Sequence, residues 1–64
     1  MTKKERAYVQ DQIDKHNQSM KDYFRASRMT SNEVKRVEYL IEVRLHDFVA
    51  TALRDLLSTF EGGV

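Results

Sequence analysis

Residues 34–60 carry apolar side chains on two sides of what their spacing predicts to be one long helix. One stripe runs Val34, Val37, Ile41, Leu45, Phe48, Ala52 and Leu56, at steps of three and four. A second runs Tyr39, Val43, His46, Ala50, Leu53 and Leu57, with the same kind of step. At about 100° per residue the two stripes point to nearly opposite sides of the cylinder. A helix that is apolar on both sides is buried on both sides, and a lone hairpin covers only one of them.

The first half of the chain holds a single stripe. Val9, Ile13, His16, Met20 and Phe24, with Tyr23 and Ser27 alongside, recur at helical steps and predict a helix from about Lys4 to Arg28. Its weak stretch is His16-Asn17-Gln18-Ser19, where four middling or poor helix formers stand in a row. A break there would give three helices instead of two.

Between the halves, Thr30-Ser31-Asn32-Glu33 fits a capping box, with Thr30 as the N-cap and Glu33 reaching back to it. Met29 and Val34 have the spacing of a hydrophobic staple around that cap. So short a link favours an antiparallel αα-hairpin. The second helix meets no breaker until Gly62-Gly63, which offers the αL position of a C-cap. Being longer than the first, it is expected to overhang, with Leu53, Leu56, Leu57 and Phe60 on the overhang. The fold class is therefore all-α, an antiparallel two-helix hairpin forming one domain over residues 1–64. The alternative is a three-helix bundle broken at residues 16–19. The second stripe predicts dimerisation through Tyr39, Val43, Ala50, Leu53, Leu57 and Phe60.

Composition narrows the class. A chain of 64 residues is marginal alone unless stapled or oligomeric, and with no cysteine it has neither disulfide nor thiolate metal site. There is no proline, and the two glycines sit together at positions 62 and 63, so β-turns have almost no source. Charged residues at 33% against 41% hydrophobic argue for a folded chain. Apolar runs of two or three residues are too short to span a membrane, and Met-Thr-Lys-Lys-Glu does not read as a signal peptide. A cytoplasmic protein is expected, or a nuclear one in a eukaryote, with no membrane partner.

Net charge is only +1, yet residues 1–36 hold nine Lys/Arg against five Asp/Glu, and residues 37–64 two against five. Lys21, Arg25, Arg28, Lys35 and Arg36 gather around the turn, with Tyr23 among them. Such a patch suits phosphate contact, with the tyrosine stacking on an unpaired base. The competing reading is a solvated helix end favoured by the macrodipole.

Other candidate chemistry is thin. His16 sits mid-stripe with no Cys, Asp or Glu at i±3 or i±4 on its face, which points to a packed histidine and not to a ligand. Glu42 and His46 are four apart and supply two metal ligands at most, so an i, i+4 surface pair is the simpler reading. No nucleophile turn, phosphate loop or carboxylate pair is present. No catalytic residue, metal or cofactor is expected.

Tyr23-Phe24-Arg25-Ala26-Ser27-Arg28-Met29, followed by a capped charged helix, resembles the turn region of Sda-type inhibitors of bacterial sporulation kinases. Those are tiny helical hairpins that bind a kinase and stop its autophosphorylation. The resemblance covers seven residues and departs at Arg28, where an acidic residue is usual; this chain is also longer at both ends. It implies that a bare helical hairpin can be an inhibitor, and it transfers no residue roles. Two functions follow as expectations. One is a small regulatory protein of bacterial or phage type that contacts RNA or DNA through the basic turn. The other is an inhibitor or adaptor directed at a protein through the apolar C-terminal half of helix 2.

Overall fold

The computed structural model describes residues 1–62. Two helices, α1 (Lys3–Met29) and α2 (Glu33–Gly62), run antiparallel as a hairpin measuring 49 × 16 × 11 Å. The two-helix expectation holds. α1 passes through residues 16–19 without a break, which removes the three-helix alternative. Its poor helix formers find partners there. Asn17 Oδ1 accepts from Arg54 of α2 at 3.1 Å, and Gln18 donates to Asp22 one turn on at 3.0 Å. Tertiary and i, i+4 contacts outweigh a propensity deficit of a few tenths of a kcal/mol per residue.

α1 starts with a capping box that the sequence reading passed over. Thr2 Oγ1 accepts from the Glu5 amide at 3.1 Å, and Glu5 Oε1 accepts from the Thr2 amide at 2.9 Å. Hydrogen bonding of the Glu5 carboxyl to the Thr2 amide, and then to the Thr2 hydroxyl, holds it below its ordinary value, with the N-terminal charge helping. The same Thr-x-x-Glu pattern at residues 30–33 does not form a box. Thr30 is in extended conformation and closes α1, its amide donating to the Ala26 carbonyl at 3.1 Å. With that amide engaged, Glu33 has nothing to reach back to. Asn32 caps α2 instead: its Oδ1 accepts from the Lys35 amide at 3.1 Å, and Thr30 Oγ1 steadies it by accepting the Asn32 amide at 3.2 Å. The expected staple fails for the same reason. A cap two residues later moves the staple positions off Met29 and Val34, and both side chains are exposed. At the far end α2 runs through Gly62, while Gly63 lies outside the described residues.

The seam between the helices is lined from α2 by Tyr39, Val43, His46, Ala50, Leu53 and Leu57, all buried or half-buried. Here the structure corrects the interface expectation. Tyr39, Val43, Ala50, Leu53 and Leu57 line the side toward α1, with Ala50 and Leu57 buried and the other three half-buried; of that group only Phe60 is exposed. From α1 come Val9, Ile13, His16, Met20, Tyr23 and Ser27, whereas Phe24 is turned outward. Ala50 is fully buried and Ile13 is 2% exposed. An alanine there lets the helices approach closely. Ser27 is buried and satisfies its hydroxyl on the Phe24 carbonyl at 2.6 Å.

Two contacts fix the register. His16 meets His46, and Tyr23 meets Tyr39, so residues equidistant from Ser31 lie level. Thr2 is therefore level with Phe60. The expected overhang of Leu53, Leu56 and Leu57 does not form: with the turn centred on Ser31 and α2 starting at Glu33 and not Thr30, these residues lie level with Val9, Arg6 and Glu5 of α1.

Candidate functional site

The outward face of α2 is the principal open feature. Val34, Val37, Ile41, Leu45, Phe48 and Leu56 fall in a sector about 100° wide, centred about 150° from the seam. All six are exposed, Phe48 at 76% and Val34 at 68%. They run about 33 Å along the helix at 1.5 Å per residue. Leu40, Val49 and Phe60 extend the apolar surface on its flanks. Two shallow depressions mark it, one lined by Val37, Leu40, Ile41, Val43 and Arg44, the other by Glu33, Val34, Val37 and Glu38. The face offers shape and apolar area but no reactive group.

At the basic turn, Lys21, Arg25, Arg28, Lys35 and Arg36 are all exposed, yet three are engaged within the hairpin. The Arg28 guanidinium lies 4.8 Å from the Phe24 ring centroid. Lys35 pairs with Glu38 at 3.7 Å, and Arg36 donates to the Thr30 carbonyl at 3.1 Å. Among the described residues, Lys21 and Arg25 have no ion pair. Tyr23 is not the exposed stacking platform that the sequence suggested. Its ring lies 5.7 Å from His46 at 15°, and 6.1 Å from Tyr39 at 35°. A side chain held in the seam by two neighbouring rings presents no free face to a base.

The histidines form a cluster that sequence reasoning treated as separate residues. His16 Nδ1 and His46 Nδ1 are 2.7 Å apart, close enough for one ring to donate its N–H to the other's lone pair. On its other nitrogen, His46 Nε2 lies 3.7 Å from Glu42 Oε2. The signal was present: 16 and 46 are each fifteen positions from Ser31, so a turn centred there brings them level. No group of three or more His, Cys, Asp or Glu that could hold a metal occurs among the described residues. No helix there is long and apolar enough to cross a membrane.

Comparison of the chain with protein-family models, with curated proteins and with solved structures gave no significant match. The stretch resembling Sda-type inhibitors, residues 23–29, makes its contacts inside the hairpin: Tyr23 in the seam, Ser27 on the Phe24 carbonyl, Arg28 over Phe24.

Proposed function

We propose that this protein is a small non-enzymatic binding module, working in the cytoplasm as an adaptor or inhibitor, whose active surface is the outward face of α2. One observation carries this reading. Six large apolar side chains stand in water at i, i+3, i+4 spacing along a single helix face, with the seam already filled from the other side. That is the anchor pattern by which an amphipathic helix lies in an apolar surface of a protein. Contiguous exposed apolar area of this kind marks interaction sites in folded proteins. The sequence suggested the apolar C-terminal half of helix 2; of that half, Leu56 lies on the outward face and Phe60 on its flank, while Leu53 and Leu57 line the seam.

The nucleic-acid reading is weaker on this geometry. Its stacking residue is committed to the seam, and three of its five cations already have partners. Lys21 and Arg25 alone would release only about one or two counterions by the usual coefficients, too few for useful affinity at physiological salt.

The test places a photoreactive phenylalanine analogue at Phe48, at Gln18 on the outer side of α1, or at Arg25, in the full chain expressed in cells. Protein adducts from position 48 with none from 18 are expected. Absence of protein adducts from 48 overturns the proposal. Nucleic-acid adducts from position 25 alone would put the basic turn in its place.

A further inference from the structure

We infer that the occupant of the α2 outward face is a second copy of this chain, packed antiparallel with Leu45 at the two-fold axis. This rests on the reading of that face as a protein-binding surface and names its partner. Three features of the face make it self-complementary.

The first is its repeat. Val34, Leu45 and Leu56 are spaced by eleven residues, with Val37, Ile41, Phe48 and Ala52 filling steps of 3-4-4. Eleven residues in three turns is close to the natural helical period, so the stripe stays nearly straight and two such helices can lie together along their length. The two ends of the stripe also match about Leu45. Turned end for end, Val34 falls opposite the partner's Leu56, Ile41 opposite the partner's Val49 and Leu45 opposite itself, while Phe48 comes level with the aliphatic stem of the partner's Glu42. A symmetric dimer needs a surface that matches its own reverse.

Charge is the second feature. The turn end, residues 21–36, carries five Lys/Arg and two Asp/Glu. The C-terminal half of α2, residues 47–62, carries three Asp/Glu and one Arg. Antiparallel packing sets the basic turn of one copy beside the acidic half of the other. Parallel packing would set the two basic turns side by side. On one flank, Arg44 comes within one residue of the level of the partner's Asp47. Neither Arg44 nor Asp47 has an ion pair among the described residues of the lone hairpin.

The third feature is area. A standard stable interface takes roughly 800 Å² from each partner. The hairpin has 5145 Å² of accessible surface, and the outward sector is about a third of the solvent-facing circumference of α2, itself half the chain. Because the stripe covers about 33 Å of the roughly 45 Å of α2, that is about an eighth of the total, or roughly 600 Å², at the lower end of the standard range. The need is equally plain, since the apolar side chains buried within one hairpin are Ile13, Ala50 and Leu57.

Because the chain has no cysteine, single cysteines can report the arrangement without interference. The experiment uses the full chain with Leu45→Cys, Val34→Cys or Leu56→Cys, a short thiol cross-linker, and sedimentation of wild type. Wild type should sediment as a dimer at roughly 100 µM protomer. L45C should cross-link to itself, and V34C should cross-link efficiently only when mixed with L56C. Self-linking of V34C at the efficiency of L45C overturns the antiparallel arrangement. A wild-type monomer overturns the second copy as partner. In that case adducts from position 48 to a protein of different mass leave the binding-face reading standing, and absence of any protein adduct removes both.

Discussion

At the scale of single residues, the His16–His46 bond is the polar contact between the helices that a pair of substitutions can isolate. Two half-buried imidazole nitrogens 2.7 Å apart satisfy one another, so removing one ring leaves the other with an unmet polar atom. His16→Leu or His46→Leu alone should cost about 1–3 kcal/mol, while the double leucine variant should recover most of it. Thermal or denaturant melts of the four proteins in the cycle check this. Additive losses would mean that the bond is not formed in solution. Glu5 gives the pH-dependent case. Its carboxyl is depressed from an ordinary 4.5 by the Thr2 amide and hydroxyl. A depressed carboxyl stabilises the fold above its unfolded value and loses that contribution as pH falls through its folded value. The first turn of α1 should therefore loosen only below the ordinary carboxylate range. Thr2→Ala removes the hydroxyl and keeps the amide, so it should raise the Glu5 midpoint only part of the way back toward 4.5, read by carboxyl-carbon NMR titration.

At the scale of elements, one sequence pattern gives two outcomes. Thr-x-x-Glu closes a capping box at residues 2–5 and none at 30–33, because Thr30 has a prior obligation to the last turn of α1. A capping pattern is reliable where the chain before it is free, and ambiguous where another helix ends on the same residues. Asn32→Ala should cost about 1 kcal/mol, as loss of an N-cap usually does. Glu33→Ala should cost only the few tenths to 1 kcal/mol of a first-turn carboxylate. Comparison of the two melting temperatures decides which residue starts α2. Glu33→Ala as the costlier change would restore Thr30 as the cap.

For the whole molecule, the question is which side of α2 holds the hairpin together. Leu57 lies in the seam and is 8% exposed, so Leu57→Ala should cost about 2–5 kcal/mol at every protein concentration. Phe48 lies on the outward face and contributes nothing to the seam. With a second copy on that face, as inferred above, Phe48→Ala should lower only the part of the stability that rises with protein concentration. Chemical denaturation at two concentrations separates them.

The sequence by itself determined the helices, the place of the turn and the existence of two apolar stripes on α2. Those follow from local periodicity and from the absence of strand and turn formers, which need no knowledge of neighbours. It did not determine which stripe turns inward, because the period is the same on both sides and hydropathy points to the wrong one. The tertiary structure decided that through the tips of the side chains. The inward stripe holds Tyr39 and His46, whose rings and polar atoms find Tyr23 and His16 on α1, and Ala50, which admits a close approach. The outward stripe is the more purely aliphatic one, which hydrophobicity alone would send to the core. The basic turn shows the same limit. Six residues could be listed from the sequence, but only the folded chain shows that Tyr23 is stacked away and that Arg28, Lys35 and Arg36 hold partners of their own. Matching between two surfaces is a property of the pair, and neither helix encodes it alone.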